Sequence, residues 1–242
     1  MRIGFDLDGV LADLHTPFVQ TAIKLFPTLD AGVVSAADIG ASPPDDTREP
    51  PSEAPGPASD VVLDREQTHA VWRQLTGTAD FWEGLQEIEK GAIARLAELS
   101  EARRWEIIFL TSRPKSAGRT VQRQSQRWLE RNGFSHPSLY VVHSSRGRIA
   151  DALQLDVVVD DRPENCLDVV LESKAGAVLV WRGPQATVPA SAKRLGIAVV
   201  STVAACLDAL VQAQESDAEG GVIDRLRRLF GLRTKAASPL RR

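Results

Sequence analysis

Cysteine is scarce in this chain: only Cys166 and Cys206 occur in 242 residues. They have no metal-ligand spacing, argue against a disulfide framework, and fit a reducing compartment. No run of about 18 apolar residues appears, so no transmembrane segment is expected. No leader pattern precedes the first strand, and a cytoplasmic location is the default expectation. An excess of positive charge is also missing. The formal net charge of −3 argues against an electrostatic nucleic-acid binder, and no nucleic-acid partner is expected. The four histidines (His15, His69, His136 and His143) are scattered and form no ligand pair. What is present is apolar bulk. Hydrophobic residues make up 43% of the chain, enough for a sizeable core in one domain with an insertion, or one domain plus a small partner.

The organising stretch is Arg2-Ile3-Gly4-Phe5-Asp6-Leu7-Asp8-Gly9-Val10-Leu11-Ala12-Asp13. Ile3, Phe5 and Leu7 alternate with other residues, the period of a strand. Asp6 and Asp8 are two apart, so in extended chain their side chains point the same way. Gly9 lets the backbone turn close to whatever the carboxylates hold. Two carboxylates converging at a strand end call for a positive charge between them, and a hard divalent cation such as Mg²⁺ fits. The alternative is an Asp-Gly hairpin turn without chemistry.

Downstream, Phe18, Val19, Ala22, Ile23 and Phe26 keep helical spacing. Residues 37–64 are rich in Pro, Asp, Ser and Gly and read as a mobile loop. Helices are expected over 64–75, 90–103 and 117–132, the last capped by Gly133. The apolar run 105–110 suits a strand buried on both faces and ends in Thr111-Ser112-Arg113-Pro114. A strand over 139–142, a helix over 148–155 and the strand 157–159 then deliver Asp160-Asp161-Arg162-Pro163-Glu164-Asn165. A helix over 165–173, strands over 177–181 and 198–200 and a helix over 207–214 complete the series. Strand alternating with helix predicts an α/β fold with a doubly wound, mainly parallel sheet. Ligands of such sheets sit at the carboxyl ends of the strands. Asp6/Asp8, Thr111/Ser112 and Asp160/Asp161 all fall there, which favours the acid site over the hairpin.

Ordered as acid pair, hydroxyl, cation and acid pair, these residues resemble the haloacid dehalogenase-like phosphatases. The resemblance spans roughly residues 1–13 and 84–182. Asp6-Leu7-Asp8-Gly9-Val10-Leu11 resembles the family's first motif, Phe109-Leu110-Thr111-Ser112 its second and Val158-Val159-Asp160-Asp161 its fourth. Within the family, residues 5–13 and Phe81-Trp82-Glu83-Gly84-Leu85 are similar to the 5′(3′)-deoxyribonucleotidases. The resemblance implies a catalytic core of 1–13 and 84–205, with a helical cap inserted at 14–83. It implies Asp6 as nucleophile and Asp8 as general acid and base. Thr111 and Ser112 would hold phosphoryl oxygens beside Gly9. Mg²⁺ would be held by Asp6, Asp8 (through its backbone carbonyl), Asp160 and Asp161. The third motif is a Lys or, less often, Arg. Here Ser145-Arg146-Gly147-Arg148-Ile149 resembles its Lys-Gly-x-Ile helix start, which favours Arg146, with Arg148 as the fallback.

Arg113 reads as structural or surface-exposed, and 162–165 as a helix cap around Asn165. Trp72 and Trp82 could stack on a nucleobase or form the core of a small cap. Residues 215–242 form a basic tail. From position 222 onward it holds seven Lys/Arg against one acid, Asp224. Val222, Ile223, Leu226, Leu229 and Phe230 make an apolar stripe that suits an anionic surface, a protein partner or the protein's own acidic body. The expected activity is a Mg²⁺-dependent phosphomonoesterase acting on a small-molecule phosphate ester, nucleoside monophosphates first. Sugar phosphates, nucleic-acid ends or a non-catalytic binding module are the alternatives. A dehalogenase is disfavoured, because a halide leaving group gives Asp8 no proton to deliver.

Overall fold

The computed structural model describes residues 1–27, 63–216 and 221–230. The expected mobile loop 37–64 lies outside them, apart from Leu63 and Asp64. The strands are β1 (Arg2–Asp6), β2 (Ala12–Asp13), β3 (Gln86–Glu87), β4 (Glu106–Thr111), β5 (Ser138–Val141), β6 (Val157–Asp160), β7 (Gly176–Val180) and β8 (Ala198–Val200). The helices are α1 (His15–Leu25), α2 (Arg65–Gly77), α3 (Ala92–Arg103), α4 (Val121–Arg131), α5 (Arg146–Ala152), α6 (Pro163–Glu172), α7 (Ala190–Leu195), α8 (Val203–Glu215) and α9 (Val222–Leu229).

Six strands form one parallel sheet in the order β5-β4-β1-β6-β7-β8. This is the expected doubly wound α/β architecture. From β1 the chain builds first to one side, through β4 and β5, and then to the other, through β6, β7 and β8. The carboxyl end of β1 is therefore the topological switch point, where such sheets form their crevice. Side-chain alternation decides what reaches it. Ile3, Phe5 and Leu7 are fully buried in the larger core cluster. Gly4 faces the other layer so tightly that a Cβ there would come 2.9 Å from Leu155 Cδ1. Asp6 shares that face with Gly4, and the layer includes Ala150 of α5.

Helices α1 and α2 pack on each other, and their buried residues Phe18, Ala22, Val71, Trp72 and Leu75 join the same cluster as Ile3 and Phe5. The inserted pair therefore shares the main core. A two-stranded antiparallel ribbon of β2 and β3 stands at its base, pairing Ala12 with Glu87 and Asp13 with Gln86. Asp64 opens α2 with a full capping box, its carboxylate accepting from Gln67 N at 2.8 Å.

Some boundaries differ from the sequence reading. Helix α4 begins at Val121 because Gly118 holds φ +90° and Thr120 supplies the N-cap, accepting from Arg123 N. Helix α5 begins two residues early, at Arg146, with the Ser145 hydroxyl accepting from Gly147 N at 3.2 Å. For its described part the tail takes the last of the three expected alternatives, the protein's own body. Helix α9 folds back on the protein's own core: Leu226 is buried, Phe230 packs on the main cluster and Ile223 lies against Gly176. Leu226, Phe230 and Ile223 are thereby engaged, while Leu229 stays exposed. Residues 231–242 lie outside the described part. Among the described residues no helix is long and apolar enough to cross a membrane. Cys166 and Cys206 are buried, and burial pushes the Cys206 thiol up to about 12.

Gly147 is where α5 meets α6. A Cβ there would lie 2.1 Å from the Asp168 carbonyl oxygen and 2.7 Å from Glu172 Cβ. Backbone cannot yield as a side-chain tip can, so Gly147→Ala must push α5 away from α6. The expected cost is about 1–3 kcal/mol or more, read as a lower urea midpoint at unchanged slope. A variant as stable as the wild type would show that α5 is free to shift.

Candidate active site

Three strand ends and one helix start converge at the switch point. Asp6 closes β1, Thr111 closes β4, Asp160 closes β6, and Arg146 is the first residue of α5. A cation at a helix N-terminus is opposed by the helix dipole, so its position needs another explanation. The Arg146 side chain is 5% exposed; its Nη2 donates to Asp6 Oδ1 at 2.5 Å and its Nε lies 3.5 Å from Asp160 Oδ2. Burial works against that guanidinium, but Asp6 and Asp160 more than offset it and hold it protonated. Arg148 lies elsewhere: its side chain is 80% exposed and faces Glu172 at 3.9 Å. The fallback cation, proposed also as a phosphate contact, is thereby corrected.

Asp160 is fully buried and accepts from Arg162 N at 2.9 Å and from Asn165 Nδ2 at 3.0 Å on both oxygens. Helix α6 starts at Pro163, so Asn165 does not cap it as expected; it steadies Asp160 instead. Asp161 stands against Gly9, where φ is +81° and a Cβ would meet Asp161 Oδ2 at 1.9 Å. Only glycine fits that turn. Burial, followed by the neighbouring carboxylate of Asp160, raises Asp6 well above the usual carboxylate range. Burial and the Asp160 charge raise Asp161 to about 7. Burial also raises Asp160, against the pull of Arg146. The acids outweigh the fixed positive charge among them.

The Asp8 side chain is 20% exposed and is gripped by Arg113. Arg113 Nε donates to Asp8 Oδ2 at 2.8 Å, and Nη2 to Oδ1 at 2.8 Å. This residue was read as structural or exposed; its side chain is fully buried and touches the site directly. Its one sequence signal is its place between Ser112 and Pro114. Thr111 is 1% exposed with Oγ1 3.4 Å from Asp8 Oδ2, and Ser112 is half-buried one residue further on. The turn after Asp8 is closed by Leu11 N and Ala12 N donating to Leu7 O at 2.8 and 2.7 Å. Arg182, also missed in the sequence, ties this turn down. It donates to the carbonyls of Gly9 and Val10 and pairs with Glu89 at 2.7 Å. Glu89 in turn accepts from Val203 N and Ala204 N at the start of α8.

Of the two readings of Trp72 and Trp82, a nucleobase platform or the core, the structure bears out the core. Trp82 is fully buried beneath the Arg113 guanidinium, and Trp72 is buried against Phe18 and Trp82 at ring separations of 5.5 and 6.4 Å. Both rings belong to the core.

Among the described residues no group of three or more His, Cys, Asp or Glu side chains is placed to hold a metal ion. The expected trio of Asp6, Asp160 and Asp161 carboxylates is therefore not assembled, while the expected Asp8 contact, through its backbone carbonyl, is independent of the carboxylate that Arg113 holds. Asp6 and Asp160, which share Arg146, remain, together with the Asp8 backbone carbonyl. Mg²⁺ takes one or two carboxylates and fills its other positions with water or phosphate oxygens. The donor types fit that ion, and the excess negative charge favours it.

No protein-family model and no curated protein matches the chain. Among solved structures it is similar to a Thermotoga maritima protein provisionally described as a beta-phosphoglucomutase. Identity is 15%, over 87% of this chain and 98% of that one, at a TM-score of 0.51. It is also similar to a hydrolase from Pseudomonas syringae, at 13% identity over 90% of this chain and 100% of that one, with a TM-score of 0.50. This is a haloacid dehalogenase-like fold. At these identities the likeness concerns architecture alone: a Rossmannoid parallel sheet with helical insertions.

Proposed function

We propose that this protein is a phosphomonoesterase of the haloacid dehalogenase-like superfamily, working through an aspartyl phosphate on Asp6. The observation that carries the reading is the single guanidinium of Arg146 touching both Asp6 and Asp160, beside a second arginine-held acid, Asp8. Such a concentration of buried acids has no stabilising purpose of its own. In this reading Asp6 attacks phosphorus and divides one hard hydrolysis into two easier steps. Asp8 gives a proton to the leaving oxygen and later takes one from water. Thr111 and Ser112 donate to phosphoryl oxygens, and Arg146 orients Asp6 and offsets charge on the phosphate. Asp6, Asp160 and the Asp8 carbonyl would hold Mg²⁺, which supplies Lewis-acid polarisation of the phosphoryl group and charge neutralisation.

Burial of Trp72 and Trp82 removes the main support for nucleobase stacking. The T. maritima neighbour is described as acting on a phosphosugar, so sugar phosphates enter the panel beside nucleoside monophosphates. Phosphate release measured across that panel is expected with Mg²⁺ and is expected to fall to background with EDTA, returning when Mg²⁺ is restored. Equal rates with and without EDTA would overturn the metal assignment. No release from any ester would overturn the activity.

A further inference from the structure

We propose that Arg113 is a positioning residue that aims Asp8 at the leaving oxygen, so that its loss is felt most by phosphate esters of aliphatic alcohols. The inference rests on the phosphomonoesterase reading.

A fully buried arginine is retained only with its donors in use. Here Nε and Nη2 take both oxygens of Asp8, and Nη1 donates to Ser125 Oγ at 2.8 Å. The guanidinium carbon lies 4.9 Å from the Trp82 ring centre and 5.7 Å from that of Trp128, a cation held against two aromatic faces. Those rings are fixed in turn. Trp128 Nε1 donates to Leu85 O at 2.7 Å and Trp82 Nε1 to Pro114 O at 3.2 Å. Trp82 N donates to Gln124 Oε1 at 3.1 Å, and Gln124 also donates to Ser116 Oγ at 3.0 Å. Helix α4 thus contributes Gln124, Ser125 and Trp128 to one frame around Arg113. The frame has one partly open outlet, the carboxylate of Asp8.

The planar fork fixes the rotation of that carboxylate, which the turn after β1 leaves free. Orientation matters for one step. As Asp6 bonds to phosphorus, the ester P–O bond breaks and its electron pair stays on the leaving oxygen. An alkoxide is a poor leaving group, so Asp8 must enter the step as the protonated acid; its proton goes to that oxygen, which departs as alcohol, and Asp8 is left as the carboxylate that Arg113 holds. A p-nitrophenolate leaves without a proton and has little need of a correctly aimed acid.

The test is kcat/KM on glycerol phosphate and on p-nitrophenyl phosphate for wild type, Arg113→Met, Arg113→Lys, Asp8→Asn and Arg113→Met/Asp8→Asn. Misplacing a catalytic group costs about a hundredfold. Arg113→Met is expected to lose that on glycerol phosphate, and at least tenfold less on p-nitrophenyl phosphate. In the Asp8→Asn background this selectivity should vanish, since the acid being aimed is gone. Arg113→Lys keeps charge without the fork and should show the same selectivity more weakly, which preserves the test if the Met variant misfolds. Equal losses on both esters, or full additivity with Asp8→Asn, would assign Arg113 to fold stability alone while leaving the phosphatase reading intact. Absence of release by the wild type from these two and from every other ester of the panel would remove the reading and the inference together.

Discussion

Asp6→Asn should abolish phosphate release from every ester accepted, a loss of about four orders of magnitude or more, as expected when a nucleophile is removed. The substitution preserves shape and leaves an oxygen that can still accept from Arg146, so the site should keep its form. Stability should move the other way. Burial first, then the charges of Asp160, Asp161 and Asp8, raise the Asp6 carboxyl well above the ordinary range. An acid raised in the folded state favours folding below its unfolded pKa, and that contribution is lost as pH rises through the folded value. Above the ordinary carboxylate range Asp6 therefore destabilises the metal-free wild type, through its desolvated charge or through the proton it must take up, and the asparagine variant is spared that cost. In EDTA at pH 7.5 the variant should melt at the same temperature as the wild type or higher. Retained turnover would eliminate Asp6 as nucleophile. Lost turnover with a much lower melting temperature would mean that the substitution only damaged the fold.

Arg146→Met should produce the largest loss of stability together with a loss of activity. Arg146 lies between Asp6 and Asp160, and its removal leaves two buried carboxylates facing each other. Breaking a buried pair from one side costs about 3–5 kcal/mol. The carboxylates can escape part of that cost by taking up protons, which fixes the pH dependence. Both acids are already raised in the wild type, and losing the guanidinium raises them further. The variant's deficit in metal-free urea titrations should thus be small near pH 5 and larger at pH 8. A deficit independent of pH would show that Arg146 contributes packing and not charge. Arg146→Lys restores a point charge without the fork, and should recover more stability at pH 8 than at pH 5.

The sheet and three of its polar strand ends were legible because their causes are local. The run 105–110 and Val157-Val158-Val159 are apolar on both faces, as a sheet covered on both sides requires, and Thr111 and Asp160 follow them directly. Arg146 could be favoured over Arg148 on motif spacing, although only the early start of α5 explains why one side chain points inward and the other outward. Arg113 could not be read. Its burial depends on Trp82 and Trp128, which fold around it from separate elements, and an isolated arginine after a strand is ordinarily solvated. Arg182 was hidden for the same reason, its partners being brought close only by the fold, whereas Asn165 was noticed as a cap and its bond to Asp160, five residues back, follows from α6 starting at Pro163. Trp72 and Trp82 stayed ambiguous in the opposite sense: an aromatic pair beside a catalytic motif suits a ligand platform or a core equally until the α1–α2 layer is seen to need it as filling.

The strand order has a consequence for how the molecule is made. β1 comes before its sheet neighbours β4 and β6 in the chain, and their synthesis ends only at residues 111 and 160. Until then Ile3, Phe5 and Leu7 have no sheet to enter, and the turn carrying Asp8 awaits Arg182 for its tether. Pairing of such sequence-distant strands is slow and leaves apolar edges open to other chains. β1 is thus made before either neighbour exists and is among the last elements to settle, and a nascent chain stopped before residue 160 would be the form most in need of a chaperone.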